Sequence, residues 1–195
     1  MSRQNHARST SLARNDDHGR TMRIEFRKSR KGKDVLFCER DDGTTTWSEL
    51  IEGSLHPHVV VPHDLVHYVV ELTLELDNAF FGFVARGLDL HASLQPSEKR
   101  AMRLEPAVLR AEAAVSALFA DLTEGPFSAS TRAERLKRAC VAWRVAPFEI
   151  TEDLWEAMRA RLEAIATMWS TLPRGGRLEL PWVTASVAND SMGPH

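Results

Sequence analysis

Residues 22–47, MRIEFRKSRKGKDVLFCERDDGTTTW, hold three short strand-like runs, of which the first alternates apolar and polar side chains and the third is rich in β-branched residues. Successive side chains of an extended strand point to opposite faces, so alternation of this kind marks a half-buried strand. The runs are 22–28 (MRIEFRK), 35–39 (VLFCE) and 44–47 (TTTW). Ser29 to Asp34 between the first two is a polar, basic turn. Asp41-Asp42-Gly43 between the second and third is a hairpin signal, because glycine accepts a positive φ without steric cost. The stretch predicts a small antiparallel meander. Residues 177–182 (RLELPW) alternate again and can return to an edge of that meander, where the missing N–H of Pro181 is tolerated.

Helical patterns fill the interval. Pro62 suits a helix entry, and from His63 or Asp64 a helix is predicted to about Asn78 and on through FFGFVARG, bent at Gly82 and stopped at Gly87. Ser97 is the expected N-cap of the next helix, and Pro106 divides it from a longer one ending at Gly125-Pro126. Thr131 and Glu134 have capping-box spacing for a helix through Val145. Thr151 caps the last helix, whose stripe is Leu154, Met158, Leu162, Ile165, Trp169 and Leu172. The expected fold is α+β: a small antiparallel N-terminal meander, extended if 177–182 returns, packed on a bundle of four to five helices. One domain is expected over 22–183, with a basic leader at 1–21 and a flexible tail at 184–195.

Composition agrees with a globular protein: 195 residues, 43% hydrophobic and 27% charged. No run approaches the roughly 20 apolar residues that cross a bilayer. The N-terminus lacks the apolar core of a secretory signal, so cytoplasm is the expected location. Cys38 and Cys140 are read as reduced, partly buried thiols rather than a disulfide or zinc knuckle. The net charge of −2 hides an asymmetry, +7 over residues 1–33 against −9 beyond. That basic leader has no aromatic residue before Phe26 to stack bases, so a solvated tail is expected and nucleic-acid binding is not. Met22, where recognisable structure begins, is an alternative start of translation. The basic cluster Arg135, Lys137, Arg138 and Arg144 reads as a solvated helix face, and the five tryptophans as core anchors.

The chemistry concentrates on the first long helix. His63, His67 and Glu71 are spaced i, i+4 and i+8 and share one face, with Asp64 beside them, while Leu65, Val66, Val69, Val70, Leu72, Leu74 and Leu76 surround them. A helix apolar on nearly all sides is buried, and polar groups buried without partners cost several kcal/mol, on the order of 2–7 each. A metal ion satisfies them, and so does a closed hydrogen-bond network. Two histidines one turn apart can aim ring nitrogens at one ion. Two helical turns, about 12 Å, separate Glu71 from His63, so Glu71 is better placed to hydrogen-bond His67 and fix its tautomer. Glu112 interrupts the apolar stripe Val108, Val115, Phe119 and Leu122 and is the candidate third ligand. Arg86 or Arg144 would be its partner in a metal-free network. His56, His58 and His91 are weaker candidates, read more plainly as solvent-facing loop histidines. No GxGxxG, P-loop or GxSxG occurs.

The pentapeptide His63-Asp64-Leu65-Val66-His67 resembles the HExxH helix of zincin hydrolases, with Asp64 where that motif has glutamate. The resemblance covers those five positions. It implies a zinc ion held by His63 and His67, with Asp64 as the residue that polarises water. Residues 62–87 as a whole, with their HDxxHxxxE pattern, also resemble a group of small bacterial proteins, a likeness that implies one domain and no activity. Two functions follow as expectations: a zinc-dependent, hydrolytic enzyme acting on a small molecule or peptide, or a non-catalytic interaction protein whose His/Glu network is structural.

Overall fold

The computed structural model describes residues 21–50, 61–91 and 96–183. The expected leader, apart from Thr21, and the tail from residue 184 lie outside the described residues.

Three strands open the chain, β1 (Thr21–Arg27), β2 (Val35–Arg40) and β3 (Thr45–Glu49), and β4 (Arg177–Val183) closes it. They form one antiparallel sheet in the order β3-β2-β1-β4. The C-terminal strand does return to the meander, pairing with β1 from Thr21↔Val183 to Arg27↔Arg177. Gly43, at φ 78°, makes the β2–β3 turn. Met22, Ile24, Phe26, Leu36, Cys38, Leu178, Leu180 and Trp182 project from one face into the core. The other face mixes charged side chains with Phe37 and Trp47, and there the carboxylate of Glu25 is sealed from solvent beneath Arg23 and Arg27.

Six helices are described: α1 (His63–Thr73), α2 (Phe80–Ala85), α3 (Pro96–Arg103), α4 (Pro106–Glu124), α5 (Ala129–Trp143) and α6 (Glu152–Thr171). The fold is α+β. α1 lies centrally, against α4 and α6, and reaches the sheet through Tyr68, whose hydroxyl donates to the Pro181 carbonyl at 2.8 Å. Phe81 and Trp182 bring their rings within 5.4 Å of each other to join α2 to β4. Among the described residues no helix is long and apolar enough to cross a membrane.

Several helix boundaries differ from expectation. The first long helix does not run to Asn78 and beyond. It stops at Thr73, Glu75 takes a left-handed conformation at φ 52°, and the chain restarts as α2 at Phe80. Gly82 is the reason the two pieces pack tightly rather than the site of a bend. A Cβ there would stand 1.7 Å from the Asp77 carbonyl oxygen. α3 already includes Pro96, so Ser97 is inside the helix and not its cap. α5 is capped by Ser128, which accepts from Thr131 N–H, so the capping box at Thr131 and Glu134 is not formed. Thr151 caps α6 as expected. Trp155, Trp169 and Trp182 are core residues, whereas Trp47 and Trp143 are 42% and 38% exposed. Both cysteines are free and buried.

Candidate metal centre

His63 and His67 stand one turn apart at the start of α1, which packs against α4 and α6. Their rings lie 4.6 Å apart between centroids, tilted by 55°. Glu112 comes from the middle of α4. One ligand atom from each of His63, His67 and Glu112 lies within 4.8 Å of the other two. His67 Nε2 and Glu112 Oε2 are 3.6 Å apart, close to the roughly 3.3 Å that separates two ligands of a tetrahedral zinc ion at ordinary bond lengths. Closing the rest of the triangle takes side-chain shifts on the order of 1 Å. Two imidazoles and a carboxylate are a donor set that divalent transition metals accept.

The three are not equally placed. His67 is 7% exposed and Glu71 fully enclosed, while His63 is half-buried. Glu112 does not sit at the centre of the α4 core face. That face runs through Ala111, Ala114, Val115, Leu118 and Asp121, and Glu112 lies at its margin with a side chain 26% exposed. The position is open enough for exchange with solvent and near enough to meet His67. Neither Arg86 nor Arg144 is its partner: Arg86 donates to the Asp77 carbonyl and Arg144 caps α5 in a left-handed conformation.

Glu71 holds the far side of His67. Its Oε1 is 3.2 Å from His67 Nδ1, leaving Nε2 to face Glu112. A carboxylate on the second ring nitrogen fixes the tautomer and makes the first nitrogen a better ligand. Glu71 Oε2 accepts the Phe81 backbone N–H at 2.9 Å. Since the methyl group of Ala79 cannot accept a hydrogen bond to cap α2, Glu71 does so from the neighbouring helix.

The electrostatics follow from these contacts. Burial works to lower His67, but its contacts with Glu112 and Glu71 prevail and push it up to about 9. It is therefore an imidazolium at neutral pH without metal. Burial and the neighbouring His67 lower His63, against the charges of Glu112 and Asp64, which favours the neutral imidazole that coordinates metals. Burial pushes the Glu71 carboxyl up, opposed by His67 and by the N–H groups of Phe81 and Phe80. Glu112 is held low despite its burial by the contact with His67 and the charge of His63.

Asp64 is half-buried beside His63 and is not one of the three converging groups. Its charge acts on His63 and on Cys38 in β2. His91 stands apart, its ring edge-on to Trp47 at 3.9 Å between centroids. His56 and His58 lie outside the described residues. A cleft of about 370 Å³ between α4 and α6, lined among others by Leu122, Arg159 and Leu162, contains none of these groups.

A second buried polar cluster was missed in the sequence. Asp121 on α4, with its side chain fully enclosed, pairs with Arg132 on α5 at 3.1 Å and Arg159 on α6 at 3.3 Å. Arg132 Nη1 also meets Glu152 and Glu156, each at 2.8 Å. With every charge opposed, it reads as the pin joining three helices. No family model, curated protein or solved structure matches the chain.

Proposed function

We propose that His63, His67 and Glu112 bind a divalent transition metal of the zinc class and that the protein is a metal-dependent hydrolase. The observation that carries the reading is the convergence of three ligand atoms, from two helices, within 4.8 Å. Three protein ligands leave a coordination position for water or substrate, the arrangement that separates catalytic from structural zinc sites. When bound, such an ion supplies a Lewis acid and a water whose pKa is brought toward neutrality. Glu71 orients His67, and the half-buried setting of His63 and Glu112 leaves the site open to a small molecule or an extended peptide. Asp64, whose charge already acts on His63, is the carboxylate left to take a proton. The metal displaces the Nε2 proton of His67, so binding releases protons to solvent.

Zinc titration of untagged, chelator-treated protein tests this. Stoichiometric binding is expected, weakened by at least the roughly 10- to 100-fold that loss of a supporting residue costs in His67→Ala and in Glu112→Ala, each of which removes a ligand atom. Wild-type protein that binds no zinc ends the proposal.

A second reading has its own support. Glu71, His67 and Glu112 satisfy one another without any ion, so the cluster also fits an interaction protein in which it only specifies helix packing. Under that reading a chelator leaves the melting temperature unchanged and added zinc does not raise it.

A further inference from the structure

The carboxylate of Glu71 is shared between two tasks. One oxygen meets the ring nitrogen of His67, and the other holds the Phe81 N–H at the start of α2. α2 is six residues long, too short to persist on its own, and its place is set from outside. Beyond Glu71, Gly82 lets it close against the Asp77 carbonyl. The buried Arg40 of β2 donates to the Val84 carbonyl at 2.6 Å and to that of Leu88 at 2.7 Å. Asp89, just beyond, accepts from Thr46 of β3 at 2.8 Å. A continuous path of polar contacts thus runs from His67 through Glu71 and α2 to β2 and β3, buried as far as Arg40 and opening to solvent at Asp89.

Resting on the metal reading above, we infer that metal occupancy at His67 and the docking of α2 are coupled through Glu71, making α2 a reporter and regulator of the site. When α2 lifts, Glu71 loses the N–H groups that fix one of its oxygens and is free to turn away from His67. The ring then loses its orientation, and losses of this kind cost about 10- to 100-fold in metal affinity. Linkage makes the effect reciprocal: a metal that binds the docked state more tightly suppresses opening of α2 by the same factor. A partner or substrate that moves α2 would therefore load or unload a site to which it contributes no ligand.

The test uses Zn²⁺ alone and the full chain. Amide exchange at Phe80 and Phe81 is expected to slow by about 10-fold or more on zinc addition, beyond any change in α5, which supplies no ligand. Glu71→Gln can accept on one side only, and zinc-dependent protection should disappear in it even at saturating zinc. Gly82→Ala, which touches no ligand but forces α2 from the Asp77 carbonyl, should weaken zinc binding about 10-fold; if that variant does not fold, the wild-type exchange measurement decides. Zinc that binds through His67 while the Phe81 amide is indifferent to it overturns the coupling and leaves the metal site standing. Full protection retained in Glu71→Gln overturns the coupling in the same way. Absence of zinc binding in wild-type protein overturns the site itself, and the coupling with it.

Discussion

Arg132 Nε donates to Asp121 Oδ1 at 3.1 Å with both side chains withdrawn from solvent, at 4% and 0% exposure. The same carboxylate accepts the Phe127 N–H at 2.9 Å, where the chain leaves α4 for α5. Removing Asp121 leaves the Phe127 N–H without its acceptor and Arg132 with only the more exposed Glu152 and Glu156, a change that costs about 2–3 kcal/mol. Asp121→Ala should therefore lower unfolding stability by that amount in urea titration. Lys33→Ala, which breaks a pair exposed at 60% and 58%, should cost no more than about 1 kcal/mol. Equal effects would contradict the assignment of Asp121 as a buried pin.

The pH dependence of metal-free protein has a sign fixed by His67. Its folded value, pushed up to about 9, lies above the usual 6.5 or so of free histidine. The stabilisation it brings is complete below that ordinary value and is lost as pH rises through about 9. Glu112, held low, adds stability above the ordinary carboxylate range that disappears as pH falls through its depressed value. Glu71, raised by burial, works against folding once its unfolded counterpart ionises. With chelator present, the stability gap between wild type and His67→Gln should be a few kcal/mol near pH 6 and shrink steadily toward pH 9. A gap that grows over that interval would refute the imidazolium.

Helix α5 offers a test of where it begins. Ser128→Ala removes the cap on Thr131 N–H and should cost about 1 kcal/mol. Glu134→Ala should lie within about 0.5 kcal/mol of wild type, as surface substitutions do. The reverse ranking in thermal denaturation would restore the capping box at Thr131.

Cys38 is fully buried in β2, and burial pushes its thiol up to about 12. Thiolate is the reacting form, so Cys38 should resist a thiol reagent at pH 8 in native protein and react at once in denaturant. Rapid labelling of one thiol per native chain, localised to Cys38 by peptide mapping, would contradict its placement.

The sheet was legible in the sequence because strand pairing there rests on local chemistry. Alternation around Ile24 and Phe26, the short apolar run that holds Leu36 and Cys38, and the Asp41-Asp42-Gly43 turn lie within one short stretch, and 177–182 alternates in the same way as the first strand. The pairing of His63 with His67 was also legible, since polar residues that interrupt an apolar helix carry their own signal, whereas Glu112 was reached through a stripe that is not the core face and lies at its margin. The break after Thr73 was not. LELDN contains neither proline nor glycine, and the break goes with contacts made only in the folded chain, that of Glu71 with the Phe81 N–H and that of Gly82 with the Asp77 carbonyl. Asp121 was overlooked because the core face of α4 is built mainly from alanines. Alanine weighs little in a hydrophobic pattern, so the stripe was traced through Val108 and Phe119 instead, one face around from the buried carboxylate.

Thr21 and Val183 sit opposite each other as the last rung of the β1–β4 ladder. Antiparallel rungs bring Cα atoms to about 5 Å, so a few residues of linker could join them and close the folded unit into a ring. New ends cut into the exposed basic turn between β1 and β2 would leave every strand pair and every helix contact intact. The order in which this domain is threaded is thus separable from the shape it takes, and modules fused at Thr21 and Val183 would emerge side by side.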